Sequence, residues 1–224
     1  NPEAIIDSYG ADALRLYLMF LGPLEAMKPW NTKGIEGVSR FLRKLWRLVI
    51  DEDSEQISTK IDFSNNTSLD EDGNRLLHES IKKVTNDYES LSFNTAISQL
   101  MILLNYLAKL NCISKDSINI FLQLLAPLAP HISEELWEKL DNKGVISNAS
   151  WPQYDKAALK RDEMEIVIQV NGKTRDKTSV SSSITNEELE KIAVELQSVK
   201  KWTEGKIIRK IIVVPGRLIN VVAG

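Results

Sequence analysis

The sequence predicts a mainly α protein: an antiparallel helical bundle followed by a small α+β domain. Three observations carry this. Apolar residues recur at helical spacing through most of the first 140 residues. From Met164 the apolar period becomes alternating, which is a strand signal. Between the two lies "GVISNASWPQYDKAALKRDE" (144–163), an aperiodic connector with a proline and a glycine.

The bundle is taken first. Asn1 is a helix cap, Pro2 suits a first turn, and Glu3 suits the positive end of the helix dipole. Gly10 ends that helix. A second takes Asp12 to Leu21 and stops at Gly22-Pro23. A third runs from about Lys33 to Val49, with Ile35, Val38, Leu42, Leu45 and Val49 on one face. Residues 51–73 are acidic and aperiodic, and are expected to form a surface loop that opens the next helix at its end. The fourth helix carries Leu77, Ile81, Val84, Tyr88 and Leu91. The fifth, from about Asn94 to Leu110, is apolar on much of its circumference and so should be central. A sixth starts near Ser114, and Pro127 and Pro130 should break it before "HISEELWEKL".

The C-terminal order is strand, strand, helix, strand, strand, a ββαββ-like α+β unit. Asn171-Gly172 separates the first two strands. Thr185 and Glu188 form a capping-box pair opening a helix with Leu189, Ile192, Ala193 and Leu196. "KIIRKIIVV" is apolar on both faces and is expected to be an internal strand. Pro215-Gly216 turns the chain into "LINVV". In the first hairpin a two-residue loop would pair Val170 with Lys173, placing Ile166, Ile168, Lys173, Arg175 and Lys177 on one face. A three-residue loop pairs Gln169 with Lys173. It gathers Ile166, Ile168, Thr174, Thr178 and Val180, and turns Lys173, Arg175 and Lys177 to the other side. This second register separates apolar from charged and is the expected one.

Composition narrows the function. One cysteine, Cys112, excludes an intrachain disulfide and a cysteine-rich zinc site, and fits a reducing, cytoplasmic setting. His78 and His131 are far apart, so no metal site is expected. No apolar run is long enough to span a bilayer. The net charge of −3 hides a split. Residues 1–160 hold 17 Lys+Arg and 22 Asp+Glu, while 161–224 hold 11 and 9, so the small part is the basic one. There is no Gly-rich phosphate loop, no paired-histidine motif and no Ser-His-Asp or Cys-His grouping, so no catalytic residue is assigned. Asn1 is not a methionine and "NPEAIIDSYG" reads like the middle of a longer chain.

Five stretches carry a resemblance. "NPEAIIDSYGADALRLY" resembles the segment after the KMSKS loop of class I aminoacyl-tRNA synthetases, and "LLAPLAPHISEELW" resembles a bundle helix of their leucyl, valyl and isoleucyl branch. "SFNTAISQLM", "IVIQVNGKTRDK" and "VPGRLINVVAG" resemble the bacterial type of the leucyl family. A valyl or isoleucyl relative is one alternative. A valyl type would end in a heptad coiled coil, and some isoleucyl types end in a cysteine zinc site. Neither feature is present here. A helical interaction module of no enzymatic origin is the other. The resemblance implies stem-contact helices over 1–30, an anticodon-binding-type bundle and connector over 31–160, and a small tRNA-binding domain over 161–224. It also implies a monomeric ligase using ATP with magnesium, whose partners here are leucine tRNA and the catalytic and editing domains upstream. The stretch itself would hold no cofactor and no catalytic centre.

Candidate contacts follow from charge. Arg40, Arg43, Lys44 and Arg47 share a helical face, which is either a solvated stripe or a track for tRNA phosphates. Lys173, Arg175 and Lys177 either solubilise a sheet or meet the outer corner of the tRNA. Lys200, Lys201, Lys206, Arg209, Lys210 and Arg217 are further candidates. Trp46 and Trp137 are expected to pack; Trp202, an aromatic between basic residues, either packs, the favoured reading, or stacks on an exposed base. Asp12 and Arg15 are expected to act as structural braces, His131 to be structural, and Cys112 to be buried.

Overall fold

The computed structural model describes residues 2–23, 34–64, 66–159, 163–181 and 184–224. The expected cap Asn1 and the helix start at Lys33 lie outside them. Two compact units emerge, Asn1–Leu159 and Lys160–Gly224.

The first unit is helical. Its elements are α1 (Pro2–Tyr9), α2 (Ala11–Phe20), α3 (Ile35–Val49), α4 (Glu71–Glu89), α5 (Phe93–Leu107), α6 (Lys115–Leu125) and α7 (Pro130–Lys139), with a 3-10 turn at Ile146–Asn148. The apolar stripe of α3 is buried as its spacing requires: Ile35, Val38, Leu42, Leu45 and Val49 all face the core. Helix α5 is central, meeting α2, α4 and α6. One side of it stays in solvent, where Ile102 is 53% exposed. Asp70 caps α4 by accepting from the Gly73 amide at 2.7 Å and from the Tyr106 hydroxyl at 2.6 Å. Residues 51–73 are more than a loop. Within them β1 (Ile61–Asp62) pairs in parallel with β2 (Ile113–Ser114), and Ile50 bridges Ile57. Pairs this short leave no alternation to read.

Two side chains of α2 hold the corner between α6 and α7. Arg15 donates from Nε to the Leu128 carbonyl (3.1 Å) and from Nη2 to that of Pro127 (3.0 Å). These are carbonyls that the end of α6 and the proline turn leave without helical partners. Asp12, nearly buried, takes the Ile132 amide on Oδ2 (2.8 Å), and the His131 amide (3.4 Å) and ring Nδ1 (2.8 Å) on Oδ1. It thus caps α7 from a distant helix, and a carboxylate there also meets the positive end of the dipole. His131 is structural through Nδ1, although its side chain is 73% exposed. Trp137 is buried and Trp46 packs against the same core. Cys112 departs from expectation. It is exposed, with Sγ 3.3 Å from the Thr67 hydroxyl, because it sits in the turn just before β2 rather than inside a helix.

The second unit has β3 (Glu163–Val170), β4 (Lys173–Ser181), α8 (Asn186–Glu195), α9 (Gln197–Thr203), β5 (Ile208–Val214) and β6 (Leu218–Ala223). The sheet order is β4-β3-β6-β5, with β3 parallel to β6. Helices α8 and α9 cover one face over a core of Ile166, Ile168, Val170, Val180, Leu189, Ala193, Val199, Ile219 and Val221. Both halves of the Thr185–Glu188 capping box form. The expected single helix is two, because Leu196 is extended (φ −60°, ψ 131°) between α8 and α9.

Two strand expectations are corrected. β5 is an edge strand, and β6 is internal. Its second apolar face, with Ile212 40% and Val214 38% exposed, lies on the side that α8 and α9 leave open. The hairpin loop has two residues, not three: Val170 pairs with Lys173 and Gln169 with Thr174. Asn171 (φ 51°) and Gly172 (φ 76°) are both left-handed, the backbone that matches the twist of a tight hairpin. The register then slips by one, so that Ile168 pairs with Asp176 and Ile166 with Thr178. Arg175 is the extra residue. This bulge restores Ile166, Thr178 and Val180 to the inner face, the outcome expected of the longer loop, by a different device. Its consequence is that Lys173, Arg175 and Lys177 do not share a face.

Candidate nucleic-acid interface

In the first unit, Arg40, Arg43, Lys44 and Arg47 are exposed along the solvent side of α3, opposite its buried stripe. Lys44 Nζ donates to Asn105 Oδ1 on α5 (2.6 Å), and Arg47 Nε pairs with Glu52 Oε1 (2.9 Å). Both ends of that pair are in solvent, where such contacts contribute little and exchange readily. Arg40 and Arg43 make no ion pair among the described residues. The face is a row of cations about one helical turn apart, suited to a phosphate backbone. By contrast, the cavity of 530 Å³ at the α6–α7 corner is walled by Pro127, Pro130 and Trp151 and holds Glu134, which accepts from the Ile146 amide. Its carboxylate disfavours a phosphate there.

In the second unit the strand pairing sets each cation in place. Lys173 starts β4 beside the turn and is exposed. The turn itself is clamped to the chain end. Asn171 donates Nδ2–H to the Ala223 carbonyl (2.9 Å) and accepts from the Ala223 amide (3.0 Å), while Asn220 Oδ1 accepts from the Gly172 amide (3.0 Å). Lys177 lies on the open face, opposite Val167, and pairs with Glu165 at 2.7 Å. Lys210, opposite Val222, lies on that same face.

Arg175 points the other way. It reaches α9, where its guanidinium carbon stands 3.4 Å from the centroid of the Trp202 ring. Its neighbour Asp176 accepts from the Ser198 hydroxyl on the same helix (2.6 Å). That bond, with the Lys177 amide, holds the Asp176 carboxyl below the usual carboxylate range, so it stays ionised. Lys200 and Lys201 end α9, where cations suit the helix dipole. Lys206 Nζ donates to the Trp202 carbonyl (3.2 Å). Arg209 is the slipped residue of β5, its guanidinium close beside Gly224, and Arg217, after the Pro215-Gly216 turn, is exposed.

The topology therefore gathers Lys173, Arg175, Lys200, Lys201, Lys206, Arg209 and Lys210 at one end of the unit, where β4 and β5 begin and α9 ends. Lys177 and Arg217 fall farther along the sheet. Sequence reasoning overlooked the Arg175–Trp202 stack, because the expected three-residue loop turns Arg175 away from the face that the helices cover. It also overlooked Asn171 and Asn220 as clamps, where the signal was only an asparagine at each position. Among the described residues no group of three or more His, Cys, Asp or Glu is placed to hold a metal ion, and no helix is long and apolar enough to cross a membrane.

Comparisons with known proteins agree on a setting. Over its whole length the chain is similar to LeuRS in the ternary LeuRS–tRNA–LeuAMS complex from Agrobacterium radiobacter K84 agnB2, at 27% identity and a TM-score of 0.75. It spans 30% of the length of that LeuRS. A sequence model described as the anticodon-binding domain of tRNA ligase matches residues 70–192, from the cap of α4 through the β3–β4 hairpin into α8. With more than half of its 224 residues in that match, the chain belongs to the anticodon-binding domain family of tRNA ligases.

Proposed function

We propose that this chain is the tRNA-binding C-terminal portion of a leucyl-tRNA synthetase, an enzyme that joins leucine to its tRNA using ATP with magnesium. The observation that supports this most is the likeness, over all of this chain, to a LeuRS captured together with tRNA. In this reading α1 and α2 are stem-contact helices beside the catalytic part, the α3 face meets the tRNA backbone, and the basic end of the small unit also contacts the tRNA. Recognition is by backbone and shape, as suits folded RNA. The chemistry of activation is assigned to the rest of the enzyme, since about 70% of the similar LeuRS has no counterpart here. The protein works as a cytoplasmic monomer.

Binding of a leucine tRNA transcript to the 224-residue chain, followed against salt, tests this. Each phosphate contact released should contribute a log–log slope of roughly 0.7 to 0.9. Lys173→Ala with Lys177→Ala should weaken binding and flatten the slope. Equal affinity for an unrelated folded RNA would leave a basic module without leucine specificity.

A further inference from the structure

The stack between Arg175 and Trp202 is more than a latch. A latch would bury its tryptophan, yet Trp202 remains 42% exposed although the guanidinium covers one face of its ring. With one face under the guanidinium, that exposure comes from the rest of the residue. The guanidinium is also unusual. Its Nε is buried with no hydrogen-bond partner among the described residues, and no carboxylate pairs with it. Asp176, next in sequence, is committed to Ser198. A cation pressed on one face of an indole withdraws electron density from the other, which favours stacking of an electron-rich ring there. Lys200 and Lys201 precede Trp202 in α9, and Lys206 donates from Nζ to the Trp202 carbonyl; all three are exposed and make no ion pair among the described residues. An aromatic ring set among free cations is the composition that takes a base together with its flanking phosphates.

We propose that the solvent face of Trp202, backed by Arg175, is a stacking platform for an unpaired or helix-terminal nucleobase of the bound RNA, with Lys200, Lys201 and Lys206 on the adjoining phosphates. This rests on the reading that the small unit binds tRNA. In the slipped register Arg175 meets Trp202 while Asp176, opposite Ile168, reaches Ser198, so two neighbouring residues of β4 tie α9 to the strand. The base is held by its π-face, so the platform adds affinity without choosing among bases.

The test uses the 224-residue chain and a leucine tRNA transcript. Trp202→Ala should weaken binding roughly five- to hundredfold and leave the salt slope unchanged, since it removes a stack and no charge. Lys200→Ala with Lys201→Ala should instead lower the slope. Trp202→Phe, which keeps a ring, should retain most of the affinity. Because Trp202→Ala could loosen the unit, a second measurement uses the unaltered chain. The indole N–H resonance of Trp202, assigned by its loss in Trp202→Phe, should shift when tRNA is added. If that resonance stays still and Trp202→Ala binds as the parent does, while Lys173→Ala with Lys177→Ala still weakens binding, the platform is refuted and the tRNA reading survives. If the parent chain shows no salt-dependent binding of tRNA, both are overturned.

Discussion

The two units reach stability by different means. The helical unit buries 33 apolar side chains among its described residues, in one continuous cluster from Ala13 to Ile146. The small unit, of 65 residues, has nine in its central cluster. The first is acidic and the second basic. In the helical unit, packing decides the structure and single polar contacts pin its corners. In the small unit the core is too thin to decide alone, and turns, caps and a bulge fix which face of each strand is inside. The difference teaches where function is placed. Cations on α3 ride on a large rigid core, whereas the cations of the small unit are positioned by the same local devices that hold it together.

The sharpest way to break this comparison is a matched pair of core truncations. Leu100→Ala and Ile168→Ala each remove a fully buried aliphatic side chain, at a cost of about 2–5 kcal/mol. Small single-core domains rarely hold more than about 3–5 kcal/mol. Ile168→Ala should therefore abolish the dispersed amide spectrum of the small unit while the bundle signals persist. Leu100→Ala should leave the bundle folded with a lower denaturation midpoint. Next in size is Asp12→Ala. It leaves the His131 and Ile132 amides without their acceptor at the start of α7, and should lower stability of the helical unit by about 2–3 kcal/mol in urea unfolding. The small unit should be unaffected.

Gly172→Ala should cost the small unit about 1–2 kcal/mol, because an alanine there must hold φ 76°. A hairpin amide map would show whether the bulge survives. The smallest effects are those of pH. Asp70 is held below the ordinary carboxylate range by the Tyr106 hydroxyl and then the Gly73 amide, and Asp176 by the Ser198 hydroxyl and then the Lys177 amide. A carboxyl depressed in the folded state stabilises fully above its unfolded value, near pH 4, and that share is lost as pH falls through the lower folded value. Midpoints of both units should fall below about pH 4. Asp70→Asn should remove part of that dependence from the helical unit only, and Asp176→Asn from the small unit only.

Much of this was legible. The spacing of Ile35, Val38, Leu42, Leu45 and Val49 marked the buried side of α3, and so its basic opposite side. Thr185 and Glu188 marked the start of α8. Asn171-Gly172 marked the turn. What stayed hidden has a common cause. Thr174, Arg175 and Asp176 are all polar, so nothing in their order says which one is extra, and the register could not be phased. β5 is apolar on both faces, which reads as internal when helices cover both sides, but here α8 and α9 cover only one side. Two-residue strands and the exposure of Cys112 depend on contacts too distant or too short for any period to report. The cations were visible as residue types, but their gathering at one end of the small unit is a product of strand order.

The central claim is that the small basic unit holds tRNA and takes no part in activating leucine. The direct measurement is made in the whole synthetase that would carry this chain, truncated before Arg161. Leucine-dependent ATP–pyrophosphate exchange and tRNA charging are then compared with the parent enzyme. Exchange should stay close to the parent level while charging falls by at least about tenfold, the equivalent of roughly 1.4 kcal/mol of tRNA binding. If both activities fall together, the unit supports the catalytic fold. If neither falls, its cations are only a solvated surface, and the claim is contradicted.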